Sequence, residues 1–458
     1  METLRQTVDR VRTFRAAILE RYRGTPLFAC TLADVKRVVI INSSSRSGSS
    51  LLYTLLRRLP QVYSLTGEAA PFYKLNTDPD GFDLFASDKI PDPLLDRVID
   101  RDGLARDFFS DLYCVEDEIR TAEIDRDRYA DRLLLRFALQ WTEVPFDAEV
   151  LRRCIDGALD AHGARHPLFD TEEFYLDLLE RVVAAYPAVN PFYYDLGTDR
   201  VALRFPFTEI PVGPPNALCT MEEPPFILQP PHRTATPADL SDRILLLKST
   251  VDCYRMNLIE RLFPEAEIRV IHLVRNPAAT ANGIYDGWLH RGFFSHNLQP
   301  YLAGGDGPDR LSIKGYSDRF PFGGSWWNFD LPEGWQEYAD RDLVEVCGFQ
   351  WRSANREILT YLERSGRPVC RVPFEEIIRS IGARRDAFGR LLEFMGISGG
   401  EAARLDLSDL PVVQSTLPPQ LYRWKKREEI ITRLLDDPQL REMCGELGYD
   451  PARMEEWL

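Results

Sequence analysis

Between residues 36 and 60 the apolar positions change period within a few residues. Val38-Val39-Ile40-Ile41 is an unbroken apolar run, too short for a helix, and predicts a strand buried on both faces. From Ser49 onward Leu51, Leu52, Leu55, Leu56 and Leu59 share one face of a helix that Pro60 ends. Between them runs a loop of small polar residues carrying one cation, Arg46. The buried-strand pattern returns at Arg243–Lys248, Ile268–Val274 and Val369–Val372, with a helix predicted at Cys253–Leu262. Strands of this kind alternating with amphipathic helices predict an α/β fold with a parallel sheet. The first 30 residues predict a helical lead-in, with Val8, Val11, Phe14, Ile18 and Tyr22 on its apolar side, and Leu343–Arg364 a long helix.

Length and proline content divide this pattern into three parts. A chain of 458 residues exceeds one simple core. Residues 1–84 read as the first part of the α/β core. Residues 85–240 read as a mainly helical insertion with a Pro-rich connection. Its helical pattern runs from about Asp92 to Tyr186, and Pro214-Pro215, Pro224-Pro225 and Pro230-Pro231 punctuate an extended return. Residues 241–458 read as the rest of the core with C-terminal helices.

The formal charge of −15 argues against a nucleic-acid groove over much of the surface, though one small anion needs only a few local cations. Eight scattered cysteines with no C-x-x-C pair predict free thiols in a reducing compartment and no zinc site. No run approaches the ~18 apolar residues of a membrane span, and the N-terminal stretch does not read as a signal peptide. The expectation is a soluble, cytoplasmic protein without a membrane span. Its oligomeric state is open, a homodimer included.

Three cations stand at strand ends. Arg46-Ser47-Gly48-Ser49-Ser50 sits between a strand and a helix, where backbone N–H groups and the helix dipole favour an anion. A nucleoside-triphosphate loop carries lysine after its glycine, and here that residue is Ser49. Arg275 ends the strand Ile271-His272-Leu273-Val274, before Asn276-Pro277, and Lys248 ends Leu245-Leu246-Leu247. In an open parallel sheet such residues gather on one edge.

The loop resembles the 5′-phosphosulfate loop of sulfotransferases that use 3′-phosphoadenosine-5′-phosphosulfate (PAPS), whose pattern is Lys/Arg-Ser-Gly-Ser/Thr-Ser/Thr. The resemblance spans roughly residues 36–75 and 243–400, with a weaker tail at 415–450. It implies sulfonate transfer from PAPS to a small-molecule acceptor, a hydroxyl in the first instance, releasing adenosine 3′,5′-bisphosphate (PAP), with no metal. Arg46–Ser50 would hold the phosphosulfate, and Arg275 the 3′-phosphate. The serine that usually follows that arginine by eight positions is Gly283 here, so Asn282, Thr280 or backbone N–H groups would supply the donor. Lys248 would stabilise the passing sulfonate together with Arg46. The histidine base of one branch is Thr250, so the glutamate branch applies and Glu68, in Leu65-Thr66-Gly67-Glu68, is the expected base. Arg423 and Lys425, in a basic C-terminal segment, would close over the nucleotide.

Under that resemblance residues 85–240 are the region expected to shape acceptor choice. His290 and His296, downstream of the Arg275 strand, and Trp326 and Trp327, in an aromatic and glycine-rich stretch with the character of a lid, are candidate acceptor contacts. His272 reads as a satisfied core residue, and Glu222-Glu223 as a solvated loop pair. Two other classes of function are compatible with the pattern: a P-loop phosphotransferase, predicting ATP and magnesium dependence, and a non-catalytic PAP-binding module.

Overall fold

The computed structural model describes residues 3–77, 87–95, 99–215, 219–302, 309–398 and 405–458. Val98, part of the helical pattern, and the boundary at 84/85 lie outside them. Nine strands follow in chain order: β1 (Arg37–Asn42), β2 (Val62–Leu65), β3 (Leu112–Cys114), β4 (Arg233–Thr234), β5 (Ile244–Lys248), β6 (Glu267–Val274), β7 (Phe294–Asn297), β8 (Trp326–Asn328) and β9 (Val369–Pro373).

Seven of them form a mixed, mostly parallel sheet in the order β4-β3-β2-β5-β1-β6-β9, flanked by helices as the alternating pattern predicts. β2, β5, β1, β6 and β9 run parallel, while β3 and β4 extend one side antiparallel. The central β1 and β5 are buried along almost their whole length, which is why both read as continuous apolar runs. Register sets Ile41 beside Lys248 and Asn42 beside His272. The chain therefore leaves β1, β5 and β6 side by side on one edge.

The helix after β1 spans Ser49–Leu56, shorter than its apolar face. Arg58 and Leu59 bond back only three residues, to Leu55 and Leu56, so the last turn tightens before Pro60. Leu59 is buried all the same.

Between residues 99 and 204 the helices Arg101–Asp111, Arg126–Gln140, Ala148–Gly163 and Thr171–Ala185 each start on an aspartate N-cap: Asp100, Asp125, Asp147 and Asp170. The last three share an apolar core that includes Leu133, Phe137, Leu151, Ile155, Phe174 and Leu178. The helical and Pro-rich reading of residues 85–240 does not anticipate that they also supply β3 and β4. Leu112-Tyr113-Cys114 continues the apolar tail of a helix without a break, and a three-residue strand has no period to read.

Trp326 and Trp327 correct the expectation of an exposed lid. Both are buried, on β8, which pairs antiparallel with β7. The Trp327 ring packs edge-on against Trp288 at 5.2 Å, and its indole N–H donates to the Asp330 carbonyl at 2.9 Å. Burying such large rings with the N–H satisfied outweighs any gain from exposure. His272 is buried as expected, its Nε2 lying 3.1 Å from Asn355 Oδ1. All eight cysteines are free thiols. No described helix is long and apolar enough to cross a membrane.

One buried network joins the helical stretch to the sheet. Arg136, 3% exposed, pairs with Asp111 at 2.6 Å and Glu222 at 3.1 Å and donates to Thr66 Oγ1 at 2.7 Å. Asp111 accepts in turn from Thr66 N at 2.9 Å. Removing the guanidinium leaves two buried carboxylates without their cation, at a cost of about 3–5 kcal/mol. Arg136→Met should lower the denaturant midpoint accordingly, and a midpoint within experimental error of the parent would show that this network contributes nothing to folding.

Candidate active site

The loops that leave β1, β2, β5, β6 and β9 all emerge on one edge, and a cavity of about 620 Å³ opens there. That lies within the ~300–1,000 Å³ of small-molecule sites, at the place where parallel sheets bind ligands. Ser45, Arg46, Gly48, Ser49 and Ser50 line it from β1, Glu68 from β2, Lys248 from β5, Arg275 from β6 and Phe374 from β9.

The β1 loop is built for close approach. Arg46 has φ 63° and Gly48 φ 95°, both left-handed. At Gly48 a Cβ would overlap the Phe374 ring, so only glycine fits. Ser47 turns inward: it is fully buried and its hydroxyl lies 2.7 Å from that of Ser44, so it braces the loop and does not face the cavity. Ser45 donates to Asp330 Oδ1 at 2.8 Å on the other side.

Two guanidiniums converge on this loop. Arg275 Nη1 donates to the Arg46 carbonyl at 3.1 Å, its guanidinium lies 4.9 Å from the Phe374 ring centre, and its buried Nε has no hydrogen-bond partner among the described residues. Arg46 Nη1 donates to the Gln414 carbonyl at 2.9 Å, and its guanidinium lies 4.9 Å from the Phe293 ring centre. Burial first, then Arg423 and Arg275, pull the Arg46 pKa down to about 10. Burial also lowers that of Arg275. Among the described residues neither makes an ion pair with a carboxylate, whereas Arg423 meets Asp286 at 3.1 Å. Like charges held this close call for an anion between them.

Lys248 stands where the loop meets the rest of the cavity. Its side chain is 5% exposed, donates to Ser50 Oγ at 3.0 Å and is ion-paired with Glu68. The other Glu68 oxygen accepts from Ser249 Oγ at 3.1 Å. Beyond this pair the cavity continues past Lys74, Glu223, Ser295 and His296.

Asn282 lines the cavity and accepts from Arg427 Nη1 at 2.6 Å. Gly283 lies behind Arg46; a Cβ there would come 3.2 Å from Arg46 Cβ, so the missing serine hydroxyl makes room for the arginine. Arg423 lines the cavity, but Lys425 is exposed, its ammonium 4.6 Å from the Tyr422 ring centre, outside the lining. His290 and the two tryptophans are outside it too. His290 packs 6.0 Å from Phe293, its pKa pulled down to about 4 by burial and then by Arg291 and Arg46.

Several residues of the site escape a sequence reading. Glu222 and Glu223 are not solvated: Glu222 is held by Arg136 and Gln140, and Glu223 faces the cavity. Burial and then the Glu68 charge push the Glu223 pKa up to about 7. Gln414 lies over the β1 loop, its Oε1 accepting from Ser50 Oγ at 2.8 Å and its carbonyl from Arg46. Nothing in the local pattern marks it, because its partners lie more than 360 positions away.

Gly48→Ala adds a side chain at a left-handed position against an aromatic ring, a strain of about 2–4 kcal/mol. The variant should show a thermal midpoint several degrees lower, and an unchanged midpoint would mean that the Phe374 contact is not fixed.

No family model matches the chain, and no curated protein matches it. Three solved structures align over most of its length. A sulfotransferase from Alicyclobacillus acidocaldarius is 12% identical over 92% of this chain and 99% of its own, with a TM-score of 0.32. Sulfotransferase STF9 from Mycobacterium avium is 13% identical over 94% and 85%, at 0.35. Sulfotransferase STF1 from Mycobacterium tuberculosis H37Rv is 10% identical over 90% and 81%, at 0.29. Likeness at these values carries no weight here, and the chain's own residues are the ground for its function.

Proposed function

We propose that this protein is a sulfotransferase that moves the sulfonate of PAPS onto a hydroxyl of a small-molecule acceptor. The observation that supports this most is the pair of partly buried guanidiniums, Arg46 and Arg275, joined through the Arg46 carbonyl and without carboxylate ion pairs among the described residues. A ligand with anionic groups at both ends of a nucleoside engages both.

In this reading the loop Arg46–Ser50 holds the 5′-phosphosulfate through backbone N–H groups and the Arg46 guanidinium. Arg275, with Asn282 beside it, meets the 3′-phosphate. Lys248 is bonded to Ser50 and so sits beside the sulfonate, where it neutralises charge on the departing phosphate oxygen. Glu68 fixes the direction of the ammonium. The transfer resembles phosphoryl transfer in needing position and electrostatics. The acceptor enters from the side of Lys74, Glu223 and Ser295, and its proton passes to a carboxylate there.

Titration calorimetry tests the donor. PAP should bind at least about tenfold tighter than AMP or ATP, a difference of roughly 1.4 kcal/mol, and Arg275→Ala should remove that preference while leaving AMP affinity nearly unchanged. Tighter binding of ATP, or an equal response of PAP and AMP to Arg275→Ala, would contradict the assignment.

A further inference from the structure

The half of the cavity beyond Lys248 is lined by two carboxylates with unlike surroundings. Glu68 is fully engaged, one oxygen paired with the Lys248 ammonium and the other accepting from Ser249. Glu223 makes one hydrogen bond, accepting from the Ser295 hydroxyl at Oε2. Among the described residues its Oε1 has no hydrogen-bond partner and its carboxylate no ion pair.

Its backbone is fixed on both sides. Glu222, just before it, is held by Arg136 at 3.1 Å and Gln140 at 3.3 Å, and Pro224-Pro225 follows. Lys74, the nearest cation on the neighbouring helix (Ala70–Leu75), spends its protons on the Thr220 and Ser295 carbonyls, at 3.1 and 3.4 Å. A proton acceptor needs a free oxygen on a rigid support within reach of the acceptor. Glu223 meets that requirement, whereas Glu68 would have to give up Lys248 or Ser249.

We infer that Glu223 takes the acceptor's proton and that Glu68 is a positioning residue for Lys248, a division of labour that rests on the sulfotransferase reading. The acceptor O–H bond breaks and its proton goes to Glu223 Oε1. The freed electron pair forms the new O–S bond, and the S–O bond to the 5′-phosphate breaks, leaving its pair on the phosphate oxygen beside Lys248 and Arg46. The groups facing Glu223 are Glu68 and Lys248 from the sheet edge, Lys74 from its helix, and Ser295 and His296 from β7. Burial and Glu68 raise its pKa to about 7 while Ser295, Lys74 and Lys248 oppose the rise, so near neutrality the base form is populated and still basic enough to act.

The test follows PAP release from PAPS against pH, with water and with phenol as probe acceptors, the phenol hydroxyl, like that of tyrosine, ionising only at about pH 10, alongside calorimetry with PAP. The wild type should lose activity as pH falls through about 7, because the carboxylate must be unprotonated. Glu223→Gln should cut the rate by about 10²–10⁴-fold, flatten that acid limb and leave PAP affinity unchanged. Glu68→Gln should slow the reaction and keep the limb. Ser295→Ala, which removes the bond favouring the carboxylate, should move the limb to higher pH and keeps the inference testable should Glu223→Gln fail to fold. An acid limb that survives in Glu223→Gln, or one abolished by Glu68→Gln, overturns the inference. A wild type that binds no PAP, or binds it and releases none from PAPS with either acceptor, overturns the sulfotransferase reading beneath it.

Discussion

Holding like charges together in a low-dielectric crevice is the constraint around which this molecule is arranged. Arg46 and Arg275 are partly buried, adjacent and without carboxylate ion pairs among the described residues, in a chain whose net charge is −15. Acidic residues are plentiful, so pairing these two would have been easy. Leaving them unpaired costs stability unless an anion repays it. The surrounding geometry serves that arrangement. Gly48 admits the Phe374 ring on which Arg275 rests, Gly283 leaves room for Arg46, and the left-handed turn at Arg46 points its carbonyl at Arg275.

The long helical stretch between the two parts of the core is joined to this edge by side chains. Arg136 bonds both to Thr66, at the start of the turn that carries Glu68, and to Glu222, beside Glu223. One guanidinium therefore fixes both carboxylates of the acceptor half through their chain neighbours. In the proposed reading the parallel strands make the donor half, and residues that the helical stretch positions make much of the acceptor half. Such a division lets acceptor preference change while the anion cradle stays as it is.

The sequence makes the cradle legible because its signals are local. A buried strand, a small-residue loop and an apolar helix lie within about twenty positions, and Lys248 and Arg275 announce themselves as cations at the ends of apolar runs. The parallel register then brings them to one edge. What stays hidden depends on distant partners. Glu222-Glu223 looks solvated until Arg136, 86 positions away from Glu222, is seen to hold it. Trp326 and Trp327 look like a lid because glycines surround them, yet β7 and Trp288 cover them. β3 and β4 are too short to carry a period, and Gln414 reaches the loop from a segment without regular structure.

A crystal structure of the complex with PAP tests the central claim most directly. The account predicts the 5′-phosphate on the backbone N–H groups of residues 46–50 and the 3′-phosphate within hydrogen-bond distance of Arg275. Phosphates bound elsewhere in the molecule, with the two guanidiniums still facing each other unbridged, would contradict it.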